Sequence, residues 1–573
     1  MSEEATTPSD PPAQPLPIAA VAEASPRTHT QHLPPAPVFT IKNILWVLFF
    51  LALTVVTRCA NYHYVFAPGL HGERQIFYTD GDCYSRMTRV REVLDGWGVI
   101  HYHLWENYPV GIYSHTTAPM DYLIAGLALL LKPFMKDYVD MAGAIVSPLL
   151  GVMTTAFLAL WARELNQQYR RLMLLLVVLS PILVHGTELG RPSHHSLQIF
   201  LLAVGIGAEL IMARAPCVSW GIASGVAWSL ALWVSLYEPL VMLIVVFLTK
   251  LVFYRKKLFV KERIPGFAIM LGILAIAALL EGKYLARSFY LIGHDPVYKT
   301  YLGNWLATIE EMKSLNGHGG HVYFTDYLYQ WVGWGLLAAP LLLIARLRDT
   351  KRSTLLLTLM VATFFFAIKE ERWGYFFALV YAMSIPWQLS LFKRKWLVWT
   401  LFLVSLWPIA RWWDSMLNDP LYAELRYADL NDQRRLRQAA DFIKEHAPGG
   451  ILAPWWWSPQ LVYWSGQPAL AGSSHESLPG IVDTSRFFET TDPAVAKQIC
   501  NSRYVETVVT GEPENIVIES AHILGQPLPE DEEKTMADIL WIKPHSAPMF
   551  LHLIFDNDVI KVFEVNHGSV TYQ

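Results

Sequence analysis

The stretch STLLLTLMVATFFFAIKEERWGYFFALVYAMSIPWQLSLFKRKWLVWTLFLVSLWPIARWW, residues 353–413, decides the fold. It holds three apolar runs, 353–368, 373–390 and 396–413, parted by the tetrad Lys369-Glu370-Glu371-Arg372 and the basic triplet Lys393-Arg394-Lys395. Each run is close to the length of about 17–20 residues that a helix needs to cross the hydrocarbon of a bilayer. Runs separated only by short charged connectors predict helices that pass back and forth through a membrane. Similar runs lie near 41–58, 139–161, 172–187, 196–213, 218–235, 238–254, 264–281 and 326–345, for a count of about eleven spans.

The composition agrees. Of 573 residues, 53% are hydrophobic and only 16% charged, which is not the balance of an ordinary soluble protein. The net charge of -4 supplies no basic face, so no nucleic-acid partner is expected. Four cysteines, Cys59, Cys83, Cys217 and Cys500, show neither a disulfide framework nor a CxxC zinc spacing. Cys59 and Cys83 could pair if both lie outside; free thiols are the other reading. Residues 1–38 are rich in Pro, Ala, Ser and Thr, too poor in apolar surface to fold, and are expected to form a disordered cytoplasmic tail and not a secretory signal.

Orientation follows from Lys and Arg in short loops, which favour the cytoplasmic side. The basic loops are Arg163 with Arg170 and Arg171; Arg255, Lys256, Lys257, Lys261 and Arg263; Arg346, Arg348, Lys351 and Arg352; and Lys393 to Lys395. All fall on one side if the short apolar stretch Tyr122 to Leu131 is an interfacial or re-entrant helix. That parity puts 59–138, 187–196, 282–325, 369–372 and everything after 413 outside. Residues 39–413 are then a transmembrane domain with functional outer loops. In residues 414–573 charges return and apolar runs shorten, as expected of a soluble outer-face α/β domain. Leu430 to His446 reads as a helix stopped by Pro448-Gly449-Gly450, and short apolar runs at Ile451–Pro454 and Tyr504–Thr510 read as strands. The acidic run Glu530 to Glu533 reads as a solvated loop.

Five motifs on the outer side could carry chemistry. Asp80-Gly81-Asp82 precedes Tyr84, Arg86 and Arg89 on a predicted helix; paired carboxylates suit a hard divalent cation, while the bland reading is a helix start capped by Asp82. Glu188 to His195 ends in Ser193-His194-His195, whose imidazoles are either metal ligands or interfacial hydrogen-bonding groups. The segment 282–325 carries Thr308-Ile309-Glu310-Glu311 and the run Asn316 to His321; a loop of that length is either a lid or a solvated tether. Arg372, before Trp373, Tyr375, Phe376 and Phe377, is either a phosphate ligand or an interfacial anchor. Trp455-Trp456-Trp457-Ser458-Pro459 opens the outer domain, as a recognition pocket or as core packing.

In their order these motifs resemble the catalytic subunit of oligosaccharyltransferases, including single-subunit bacterial and archaeal forms, which are membrane glycosyltransferases of the GT-C class. Asp82-Cys83-Tyr84 with Arg86 and Arg89 looks like the family's first outer loop. Ser193-His194-His195 is similar to its Asp-His-His motif with serine in place of aspartate, and Thr308-Ile309-Glu310-Glu311 to its Thr-Ile-x-Glu. Arg372 sits where the family has a phosphate-binding arginine. Trp455 to Pro459 stands in place of Trp-Trp-Asp-Tyr-Gly, without the aspartate that holds an Asn-x-Ser/Thr acceptor.

The resemblance implies a glycosyltransferase that takes a glycan from a polyprenyl (pyro)phosphate donor and passes it to a protein or other acceptor. Asp82 and Glu311 would be catalytic, and Asp82, His195 and Glu311 would hold Mn²⁺ or Mg²⁺. Arg372 would bind the donor phosphate and Trp455, Trp456, Trp457 and Ser458 the acceptor, with Asp80, His194 and Glu310 as additional site residues. The expected setting is a bacterial inner (plasma) membrane, with the N-terminus cytoplasmic and the C-terminal domain periplasmic. Two rivals are a lipid-monophosphate-sugar transferase acting on a lipid or polysaccharide, and a non-catalytic transporter or scaffold, which would place ionisable residues at mid-span.

Overall fold

The computed structural model describes residues 41–567 apart from 71, 99, 114–117, 165–167, 316–323, 348–352 and 530–533. The N-terminal tail, the glycine-histidine run 316–321, Arg348, Lys351, Arg352 and the acidic run 530–533 lie outside the described residues.

Helices dominate. Four are long and apolar enough to cross a bilayer: Ile41–Arg58, Tyr138–Arg163, His194–Arg214 and Lys261–His294. The last has a window of mean hydropathy 2.2 of which only 6% is buried, and Ile264, Phe267, Leu271 and Leu279 point outward. An apolar face of that extent is costly in water and stable in hydrocarbon, so this helix faces lipid. His194–Arg214 is the opposite case, with 89% of its window buried, and forms the centre of the bundle. Where Val218–Val234 meets the helix beginning at Ile264, the backbones touch through Gly221, Gly225 and Gly266. A Cβ on Gly225 would lie 2.0 Å from the Gly266 carbonyl oxygen, so only small residues allow that approach.

Helices also stand at the other expected spans, but some are broken. The run 172–187 is Arg170–Leu179 followed by Pro181–His185, because Pro181 removes a donor and forces Ser180 out of the helical region. The run 326–345 divides into Phe324–Val332 and Ala339–Leu347 around Gly333, whose φ is +81°. The run 396–413 divides into Lys395–Ser405 and Trp407–Asn418 ahead of Pro408. Ala118–Leu131 has 14 residues, too few to span.

The segment 282–325 differs most from expectation. Its described residues are largely helical: Ile264–His294 continues as helix to His294, and Pro296–Thr308 is a second helix. Asp295 caps that second helix by accepting from the Val297 N–H, and Pro296 occupies its first turn. A short 3₁₀ turn, Glu310–Met312, follows.

The C-terminal region begins with the helix Pro420–His446, capped by Asp419. A four-stranded sheet follows in the order 450–452, 505–510, 561–565, 551–556, its first pair parallel and the others antiparallel. Both predicted strands are therefore present within a residue or two. This region docks on the helix Gly81–Glu92: Arg91 Nη1 donates to the Tyr463 carbonyl at 2.7 Å, and Tyr84 meets Trp464 edge to face at 4.9 Å. All four cysteines are free.

Candidate active site

A cavity of about 640 Å³ opens where the Gly81–Glu92 helix, the 186–193 loop, the 309–315 turn, the 370–375 corner and the C-terminal region converge. Asp80, Asp82, Glu310, Glu311, Arg372, Trp455 and Trp456 all line it, although they are spread over almost 380 residues of chain.

Asp80, not Asp82, caps the Gly81–Glu92 helix. Its Oδ1 accepts from the Cys83 N–H at 3.0 Å, which leaves Asp82 to face the cavity. Gly81 abuts the Trp456 carbonyl, 3.4 Å from where a Cβ would stand, so the helix start and the tryptophan motif are one wall. Asp82 is exposed at the cavity wall. Surrounding protein, then the neighbouring Asp80, pushes its carboxyl up to about 7, against a hydrogen bond from Ser473. Cavity water screens part of the burial effect.

Glu311 is set by the turn after Thr308. Leu315 N–H donates to the Ile368 carbonyl and Glu371 N–H to the Lys313 carbonyl, each at 3.1 Å, so the turn is laced to the corner that carries Arg372. Burial raises the Glu311 carboxyl.

Arg191 stands beside these acids. Gly190 has φ +75°, and a Cβ there would lie 2.7 Å from Val65; its N–H donates to Ala144 and its carbonyl accepts from Thr79. The glycine thus lets the loop turn so that the buried Arg191 points at the carboxylates. Arg191 Nη2 donates to Glu311 Oε1 at 2.5 Å, and Nη1 lies 3.5 Å from Asp80 Oδ2 and 4.0 Å from Glu188 Oε1. Nη1 also donates to His185 Nε2 at 2.7 Å, which leaves the proton of a neutral His185 on Nδ1, 3.0 Å from the Tyr375 hydroxyl. Tyr375 in turn donates to Glu311 at 3.3 Å. Burial pushes the Glu188 carboxyl up to about 7 against the pull of Arg191.

Arg372 reaches the cavity with its charge already paired to Glu238, a fully buried span-end carboxylate. Its guanidinium lies 5.6 Å from the Tyr237 ring centroid.

His194, His195, Trp457 and Ser458 are not among the cavity's lining residues. His195 lies behind Tyr375, ring centroids 5.0 Å apart, with Nδ1 3.1 Å from the Ser193 hydroxyl. Ser458 is fully buried and donates to the carbonyls of Ala453 and Pro454. Trp457 packs between the two large apolar cores. Sequence reasoning singled out neither Arg191 nor His185, Glu188 and Tyr375. Arg191 lies inside a motif read for its histidines, and a lone arginine after glycine carries no pattern of its own.

Asp80, Asp82 and Glu311 are the right oxygen donors for Mn²⁺ or Mg²⁺. The arrangement, however, does not fit the ion: among the described residues no three His, Cys, Asp or Glu side chains form a ligand set, and the Arg191 guanidinium occupies Glu311 Oε1. The expected trio of Asp82, His195 and Glu311 forms no such set: Asp82 and Glu311 line the cavity and His195 does not.

No family model matches the chain. A dolichyl-phosphooligosaccharide-protein glycotransferase from Archaeoglobus fulgidus is 26% identical over 162 residues, a match spanning 28% of this chain and 26% of that protein's length. The archaeal oligosaccharyltransferase AglB from Archaeoglobus fulgidus, solved with an inhibitory peptide and a dolichol-phosphate, superposes with a TM-score of 0.67 at 14% identity, over 90% of this chain and 80% of that one. A further Archaeoglobus fulgidus oligosaccharyltransferase structure, a complex with Zn and sulfate, aligns over 84% of this chain and 70% of that one with a TM-score of 0.57 at 15% identity. ArnT from Cupriavidus metallidurans aligns over 91% of this chain and 98% of its own, with a TM-score of 0.50 at 14% identity. The chain therefore has the fold of these membrane proteins, a polytopic helical bundle with a C-terminal α/β region, and is most similar among them to the archaeal oligosaccharyltransferases.

Proposed function

We propose that this chain is a membrane glycosyltransferase that moves a glycan from a polyprenyl-phosphate or polyprenyl-pyrophosphate donor to an acceptor at the outer face of the membrane. The observation that carries this is the convergence of Asp80, Asp82, Glu311, Arg191 and Arg372 on one cavity. Residues 39–413 would hold the lipid tail's end of the site and 414–573 cover it, with the N-terminus cytoplasmic and a bacterial inner membrane as the setting.

The chemistry asks for two things, and both residue types are present. The acceptor nucleophile must lose a proton as it bonds to the sugar's anomeric carbon, and Asp82, held near neutrality, is matched to take it. The bond from that carbon to the phosphate oxygen breaks, the oxygen keeps the electron pair, and fixed positive charge stabilises it. Arg191, Arg372 and Arg426 are cations at the cavity wall. Mn²⁺ or Mg²⁺, which the resemblance implies, would supply the same charge to the phosphate; its ligand set is not assembled here, and no step depends on it.

The acceptor need not be an asparagine side chain. Ser458 stands near the family's missing aspartate and is buried against backbone carbonyls, which favours a hydroxyl acceptor on a lipid or polysaccharide. The test is transfer from a radiolabelled lipid-linked glycan by the purified chain, with peptide, lipid and polysaccharide acceptors offered in parallel. Transfer to any of them supports the reading; intact donor in every reaction refutes it.

A further inference from the structure

Glu311, one of the two carboxylates expected to hold a divalent ion, holds a guanidinium instead. Arg191 is 6% exposed, and its two terminal nitrogens do different work. Nη2 is tied to Glu311 at 2.5 Å. Nη1 spends one hydrogen on His185 at 2.7 Å, and its other nearby acceptors, Asp80 at 3.5 Å and Glu188 at 4.0 Å, form ion pairs without a hydrogen bond. Nη1 therefore keeps a hydrogen for an anion entering the cavity that Arg191 lines. A divalent ion on Glu311 and Asp80 would have to share their oxygens with this cation, and like charges at contact repel.

We propose that Arg191 is the resident cation of the site and that glycan transfer by this chain does not require a metal. The proposal rests on the transferase reading above. Nη2 holds Glu311 in place and Nη1 hydrogen-bonds the departing phosphate. The sugar's carbon–oxygen bond to phosphate breaks with its electron pair on the phosphate. The acceptor oxygen or nitrogen forms the new bond, and its proton passes to Asp82. Arg191 keeps all its protons. A guanidinium suits this role because its planar fork matches phosphate oxygens and it stays charged even when buried.

Two measurements on the full-length chain in nanodiscs test this. The first is a Mn²⁺ titration followed by electron paramagnetic resonance after stripping with chelator. The expected result is no stoichiometric Mn²⁺ site, with turnover in chelator within about twofold of that in Mn²⁺. One tightly held Mn²⁺ per chain, lost in Glu311→Gln, overturns the proposal. The second is Arg191→Ala, expected to lose about 100-fold or more in turnover and to regain part of it when guanidinium ion is added, with Arg191→Lys intermediate. Wild-type turnover in Arg191→Ala overturns the proposal. Should Arg191→Ala not fold, the Mn²⁺ titration of the unaltered chain decides alone. Should no transfer be seen at all, the transferase reading fails, while the titration still says whether a metal or the guanidinium fills the site.

Discussion

Asp80→Asn separates the two roles of the first carboxylate. Asparagine keeps an oxygen to cap the helix through the Cys83 N–H, so the local fold stays, but the negative charge beside Asp82 is gone. The Asp82 carboxyl stands at about 7 from an ordinary 3.8, with burial as the largest cause and Asp80 the next. Asp80 is the largest charged neighbour holding it there. Asp82 must be ionised to take the acceptor's proton, so kcat/KM rises with pH through its pKa. Removing a negative neighbour makes ionisation easier and moves that limb to lower pH. At pH 6, where about one-tenth of Asp82 is ionised in the wild-type chain, the variant is expected to run closer to its plateau. The assay is kcat/KM for glycan transfer between pH 5 and pH 9. A limb that stays in place, or moves to higher pH, refutes the assignment of Asp82 as the titrating base. The same shift has a stability consequence of defined sign. Folded Asp82 binds its proton more tightly than the unfolded chain does, so its contribution to stability falls as pH rises from about 4 to 7.

Other substitutions probe the supports of the site. Gly190→Ala forces a left-handed backbone on a residue with a Cβ and crowds Val65; it is expected to cost about 1–2 kcal/mol from the backbone alone, read as a lower melting temperature in detergent, with turnover reduced because Arg191 is displaced. Ser458→Ala removes a buried hydroxyl bound to two carbonyls and should cost about 1 kcal/mol of stability while leaving the acceptor KM unchanged; a raised KM at an unchanged melting temperature would restore the acceptor role to Ser458. Glu238→Gln leaves Arg372 without its buried counter-charge and is expected to destabilise by about 3–5 kcal/mol, measured by denaturation in detergent, whereas Glu238→Gln with Arg372→Gln together should recover much of that loss.

The membrane architecture was legible because hydrocarbon imposes one simple demand, length of apolar run, that a sequence displays directly. Breaks inside runs were not, since Ser180-Pro181 and Gly333 act through backbone geometry that a hydropathy pattern averages away. The segment 282–325 was misjudged as loop for a related reason: Lys283 and Arg287 lowered its apolar signal, yet neither breaks a helix, and the capping pair Asp295-Pro296 marked a second helix. Asp82, Glu311 and Arg372 each sit in a recognisable local pattern, and the chain brings them to one cavity. Arg191 was passed over because its importance comes from three carboxylates that only the tertiary fold delivers to it. Glu209, Lys250 and Arg263 form an ion cluster near the ends of their helices. Pairing conceals such charges in a sequence and makes them tolerable in the fold.

The central claim, glycan transfer driven by the Asp82 carboxyl in this cavity, is tested most directly by counting product from a radiolabelled polyprenyl-linked glycan with the purified wild-type chain and with Asp82→Asn. The account predicts labelled acceptor from the wild-type chain and a loss of at least about 100-fold in the variant, with donor binding retained. Equal product from both proteins would contradict it.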